Sequence, residues 1–153
     1  MEQVNDLRND LSIPQHQELM EYWRAKAGGA GMPSLKQIDL ADIPTLLPNL
    51  ILYDVAWVDA QPRFRFRFVG SNNVSRYGRD ATGLWFEEAY EGDILKRQQK
   101  DFAEVAFSGR PHFSKPTLPI VGKDYVTYSR LILPLSSGGD TVDRIAAVMI
   151  FDA

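Results

Sequence analysis

One stretch constrains this chain more than any other: Arg63-Phe64-Arg65-Phe66-Arg67-Phe68 alternates a cation with an aromatic ring and then stops at Val69-Gly70. A period of two belongs to an extended strand, with the rings on one face and the guanidinia on the other. Such a ribbon suits either a nucleic-acid backbone or a half-buried sheet. The preceding run, LILYDVAWV, is also strand-like, and Asp59-Ala60-Gln61-Pro62 lies between the two. Together they predict a hairpin with a short turn. Matching faces sets Trp57 opposite Phe64, Val55 opposite Phe66, Tyr53 opposite Phe68, Ala56 opposite Arg65 and Asp54 opposite Arg67. A slip by one residue would set arginines against the apolar row, so the rings are expected in the core. The arginines are then expected on the outer face, where an exposed pair with Asp54 contributes at most about 1 kcal/mol. Leu50, Leu52 and Val58 share that face, which predicts a cover, either a helix or another subunit.

Charge weighs against nucleic acid. The 153 residues carry a formal charge of -3, whereas phosphate-backbone binding usually leaves a basic excess. A hydrophobic fraction of 44% is that of an ordinary globular domain with a real core. Cysteine is absent, which excludes disulfides, thiolate nucleophiles, cysteine-ligated zinc and flavin-thiol adducts. No apolar run approaches the length of about 20 residues that spans a bilayer, and the opening MEQVNDLRNDLS lacks the order of a secretory signal. A cytoplasmic protein without membrane contact is the expectation.

Elsewhere the pattern reads as helices, turns and three more strands. Ser12 is placed to cap a helix over residues 15–27 with Pro14 in its first turn, and Leu19, Met20, Trp23 and Ala27 form its apolar face. That face must pack on its own domain or on a dimer partner, since a helix this short is marginal alone. Gly28-Gly29 ends it. Asp42 is a candidate cap for a short turn over residues 43–47. Gly29-Ala30-Gly31-Met32-Pro33-Ser34 lacks the Lys-Ser/Thr pair of a phosphate loop. In Gly78-Arg79-Asp80-Ala81-Thr82-Gly83, Asp80 is expected to cap a local turn. Glu87, Glu88, Glu91 and Asp93 read as a solvated cluster. Asp93 is expected to cap a helix over residues 94–108, where Leu95, Gln98, Phe102, Val105 and Ala106 share a face and Gly109 with Pro111 stops the helix. Strands are predicted over residues 112–120, 124–135 and 142–151, the last two joined by a hairpin loop.

This order predicts an α+β domain with about five mainly antiparallel strands. It resembles a PAS domain, and its motifs resemble a bacterial family of stand-alone PAS-like proteins. The resemblance rests on Tyr22-Trp23, Pro33 and Asp39, Ile43-Pro44 with Leu46-Leu47-Pro48, and Asp54-Val55. It continues through Phe64-Arg65-Phe66-Arg67 to Gly70, Gly78 with Asp80 and Thr82-Gly83, Gly109-Arg110-Pro111, and Arg130-Leu131 with Leu133-Pro134-Leu135. It implies a helical lead-in over residues 1–49 and a PAS-like core over 50–153, whose five-stranded sheet meets short helices around a small cavity.

The resemblance further implies a sensory or regulatory module that binds a small ligand, a protein partner or both, and not an enzyme. Face alternation and the resemblance together nominate Val55, Phe66, Phe68, Val74, Tyr77, Trp85, Phe102 and Met149 as cavity residues. Arg130, a cation inside an apolar strand, is expected either buried and paired or facing an anionic ligand, or else on the outer face with its stem packed flat. No cofactor is named by the sequence. Haem is disfavoured, since residues 94–108 contain no histidine and His16 and His112 lie elsewhere. The expected partners are a second copy of the chain, docked through the N-terminal helix and outer sheet face, and a separate output protein, as no kinase, cyclase or helix-turn-helix segment follows Ala153. Two other readings stand beside this one: a cone-shaped enzyme of the ketosteroid-isomerase type, which needs an inward carboxylate near a tyrosine hydroxyl, and a dimerisation module without ligand.

Overall fold

The computed structural model describes residues 11–29, 31–123 and 126–152. The first ten residues, read above for the lack of a signal, and the first two of the strand predicted from Asp124 lie outside them. Among the described residues a five-stranded sheet runs in the order β2-β1-β5-β4-β3, every neighbouring pair antiparallel. The strands are β1 (Leu50–Val58), β2 (Gln61–Val69), β3 (His112–Ser114), β4 (Tyr128–Leu135) and β5 (Arg144–Phe151). Helix α1 (Pro14–Ala27) precedes them. Helices α2 (Ser71–Tyr77), α3 (Phe86–Ala89) and α4 (Gly92–Ser108) fall between β2 and β3. The α+β class, the antiparallel sheet and the N-terminal helix are as the sequence predicts.

The hairpin forms, but its register differs by two residues. Asp59 and Ala60 alone make the turn, both in the left-handed region at φ 51° and 63°. This is the two-residue turn that matches strand twist, and it draws Gln61 and Pro62 into β2. Val55 therefore pairs with Phe64, Tyr53 with Phe66, and Asp54 with Arg65. A bulge follows, because Leu52 pairs with Phe68 and leaves Arg67 with no partner of its own. One extra residue reverses the alternation beyond it. Phe68 consequently packs with Leu52 on the outer face, which corrects its expected place on the inner wall, while Val69 returns inward beside Ile51.

Each sheet face has its own core. The inner one joins Tyr53, Val55, Phe64, Phe66, Ile132, Ile145, Ala147 and Met149 to Phe86, Phe102 and Val105 of the helices. The outer one joins Leu50, Leu52, Leu131, Leu133, Leu135 and Val148 to Leu19, Met20 and Trp23 of α1. Thus α1 packs on its own sheet, and the Trp23 indole N–H donates to the Pro134 carbonyl at 2.8 Å. It begins after Ile13 with Pro14 in the first turn, and no side chain caps it, so Ser12 stands one residue too early.

The helical turn expected over residues 43–47 is displaced to both sides: one turn forms over Leu40–Asp42, where Asp39 accepts from the Ala41 N–H at 3.0 Å, and another over Leu47–Asn49, which no side chain caps. Asp42 instead accepts from the Tyr22 hydroxyl. Helix α4 opens two residues before the expected start, which puts Asp93 in its first turn, where a carboxylate still faces the positive end of the helix dipole. Asp80 closes its local turn on Thr82 as expected.

The sheet margins are short. Beside β2, the Phe66 N–H donates to the Leu84 carbonyl at 2.9 Å and the Gly83 N–H to the Phe66 carbonyl at 2.7 Å. At the other margin β3 has three residues where nine were predicted. Pro116 and Pro119, lying where the strand would continue, cannot donate to a ladder.

Candidate functional site

On the inner face, polar groups converge where an ordinary core would be apolar. Arg130 enters from β4, opposite Met149 of β5, and its side chain is fully buried. One terminal guanidinium nitrogen donates to Gln98 Oε1 at 3.0 Å; the other donates to Asp101 Oδ2 at 2.5 Å and Ser114 Oγ at 3.3 Å. The guanidinium carbon lies 5.3 Å from the centre of the Phe102 ring. Residues 98, 101 and 102 share one side of α4 because three- and four-residue spacings return to the same helical face. Burial disfavours the cation, yet the Asp101 carboxylate holds it charged. Of the two placements the sequence left open for Arg130, the inner, paired one is found.

Tyrosines surround this group. The Tyr128 hydroxyl reaches Tyr77, Gln98 and Arg130, while burial pushes its pKa up. Burial likewise raises the pKa values of Tyr53, Tyr77 and Tyr90, with neighbouring tyrosines adding to the rise in each. These hydroxyls therefore remain neutral donors and acceptors throughout the physiological range.

A cavity of about 240 Å³ opens against this cluster, walled by Phe66, Tyr77, Ala81, Ala89, Tyr90, Ile94 and Ile120. Tyr77 belongs to both, so the cavity wall is continuous with the interior polar network. Arg79 and Glu91 also border the cavity, and Arg79 donates to the Ala89 carbonyl at 2.8 Å. A larger hollow of about 510 Å³ lies between Trp23 and Arg24 of α1 and the Gly109-Arg110-Pro111 turn.

The nominated residues separate into three groups. Phe66 and Tyr77 line the cavity. Val55, Phe102 and Met149 are buried in the inner core, and Val74 packs against it. Phe68 and Trp85 stand elsewhere. Trp85 lies under the Arg63 and Arg65 guanidinia, 4.3 and 5.3 Å from its ring centre, because residues 83–85 bridge to β2 at the sheet margin.

Sequence reasoning missed Tyr53, Tyr90 and Tyr128, which come from separate elements. Gln98 carried a signal, since an amide on an apolar helix face must find a buried partner. Neither histidine lines the cavity. His16 is buried near Phe113 at a ring distance of 5.5 Å, and His112 lies 3.8 Å from Glu104. Asp54 sits on the outer face among Arg65, Arg67 and Arg144, so it does not meet the tyrosine hydroxyls that a ketosteroid-isomerase-type site needs. Among the described residues no group of acidic and histidine side chains could hold a metal ion, and no helix is long and apolar enough to cross a membrane.

Comparison with known proteins agrees with the fold. A family model described as PAS domain matches residues 11–150. Among solved structures, the PAS domain of Bordetella pertussis BvgS is similar with a TM-score of 0.53 and 14% identity over 74% of this chain and 86% of that one. A sensory box sensor histidine kinase from Vibrio cholerae gives 0.46 and 14%, over 74% of this chain and 87% of that one. The PAS domain of an HTR-like protein from Haloarcula marismortui gives 0.42 and 15%, over 74% and 91%. No curated protein matches.

Proposed function

Because this chain belongs to the PAS domain family, whose members are sensory modules in signalling, we propose that it is a cytoplasmic sensor that takes a small molecule into the inner cavity and reports to a separate protein. The observation that carries this reading is the shared wall. An apolar cavity with a few convergent polar groups is the usual form of a ligand site. Here Tyr77 links such a cavity to hydroxyls and an amide held in place by Arg130. The volume of about 240 Å³ lies below the range of about 300–1,000 Å³ usual for drug-sized ligands, which favours a compact molecule with an aromatic or aliphatic body and a hydrogen-bonding head. Of the nominated residues, Phe66 and Tyr77 would touch it.

Native mass spectrometry of the purified protein tests the reading. A small-molecule adduct is expected on the native chain and its loss in Ala89→Trp, which fills the cavity. A bare mass for the native chain, together with no rise in melting temperature across a panel of small carboxylates, phenols and purines, would refute it. The same spectra give the oligomeric state. The expected homodimer through α1 and the outer face has its apolar contacts already made within one chain, so a separate output protein is the partner favoured here.

A further inference from the structure

The outer sheet face is divided. Helix α1 and the lead-in cover its leucine-rich part, whereas β2 and the start of β5 present Arg63, Arg65, Arg67 and Arg144, with side chains 43, 44, 47 and 33% exposed. A single carboxylate holds three of them. Asp54 lies 3.0 Å from Arg65, 3.2 Å from Arg67 and 3.0 Å from Arg144. Arg63 pairs with Glu87 at 3.1 Å and lies over Trp85. Four guanidinia are thus fixed by two carboxylates, although each carries five N–H donors in a rigid fork. Arg144 spends part of its capacity internally, donating also to the Asp143 carbonyl at 2.7 Å with its Nε buried, whereas the half-exposed heads of Arg63, Arg65 and Arg67 keep donors beyond the one carboxylate contact each makes, in a chain whose total charge is -3. A hollow walled by Asp54, Arg65, Arg67, Thr82 and Gly83 gives the surface depth, the arginines there outnumbering the one carboxylate.

We propose that this arginine ladder docks an acidic, extended segment of the output protein. Arg63 and Arg65 are two strand residues apart, roughly 6.6–6.8 Å. An extended peptide with carboxylates at alternate positions has the same repeat, so successive acids meet successive guanidinia in bidentate, charge-assisted pairs. The proposal rests on the reading that the chain reports to a separate protein, and it names the chemistry of that partner.

The test is fluorescence anisotropy with a labelled peptide alternating glutamate and threonine, its lysine-for-glutamate copy, and short duplex DNA. Each is titrated with the full chain at low salt and at about 0.15 M salt. The glutamate peptide should bind, the lysine copy should not, and salt should weaken the complex. Arg63→Gln with Arg65→Gln, at exposed positions, should weaken binding at least about tenfold with the melting temperature retained. Glu87→Gln should strengthen it by freeing Arg63 from its internal partner. Ala89→Trp should bind the peptide like the native chain, so failure of the cavity reading leaves this result standing. No binding of the glutamate peptide, indifference to both arginine and Glu87 substitutions, or equal affinity for duplex DNA would overturn the proposal.

Discussion

At the scale of single residues, the chain places two ionisable groups where their surroundings determine stability. Arg130 is fully buried while its carboxylate partner, Asp101, is 30% exposed. Removing the acid strands a guanidinium in the interior, whereas removing both leaves little to desolvate. Asp101→Asn should therefore cost about 2–3 kcal/mol alone and much less beside Arg130→Met, a coupling that urea denaturation of the four combinations would measure. His16 is the second case. Burial lowers its pKa from 6.5 to about 4, partly offset by the Ser129 main chain. Between those values the unfolded chain holds a proton that the folded chain rejects. Stability is thus full above about pH 6.5, declines as pH falls toward 4, and changes no further on this account below that. The whole effect is roughly 3 kcal/mol, and His16→Leu should flatten that part of the pH–stability curve. Sequence alone left Arg130 either inside, paired or facing an anionic ligand, or on the outer face with its stem packed flat, because the choice depended on α4 packing over β4, where Asp101 lies 29 positions away in the chain.

Among the elements, the hairpin shows how much alternation can and cannot convey. Phe64 and Phe66 face inward as their pattern predicts, because the period of two survives any shift by an even number of residues. Phe68 does not, since a bulge changes parity and neither Arg67 nor its neighbours announces one. The turn was equally hidden: Asp59-Ala60 adopts positive φ without glycine, in a conformation that costs an alanine about 1 kcal/mol or more. Ala60→Gly should accordingly stabilise the domain by about 0.5–1 kcal/mol in thermal or urea unfolding. Gly70 requires its missing side chain for another reason. A Cβ there would lie 2.2 Å from the Leu47 carbonyl oxygen, where β2 passes under the lead-in before α2. Gly70→Ala should therefore destabilise by more than about 2 kcal/mol, since main chain must move on both sides of the contact.

For the molecule as a whole, the two faces of one sheet carry different duties: a cavity with a polar network inside, and a covered half beside an arginine-bearing half outside. The covered half depends on α1, so Trp23→Ala, which removes a buried ring and its bond to Pro134, should cost about 3–5 kcal/mol by denaturant unfolding. The architecture was legible because it follows from the order and period of elements. The cavity and the polar network behind it were less so, since Tyr77 and Tyr90 on the cavity wall and Tyr53 and Tyr128 in the core come from separate elements that only tertiary packing brings together. One feature of the sheet bears on the crowded conditions in which such a domain must persist. Along β2 the outer margin is occupied near Phe66 by the main chain of residues 83–84, and at β3 it is only three residues long. Long unpaired strand margins are templates on which other chains extend a sheet into fibrils. With the β2 margin interrupted at Phe66 and the β3 margin three residues long, the native sheet gives misfolded neighbours only short stretches to grow upon.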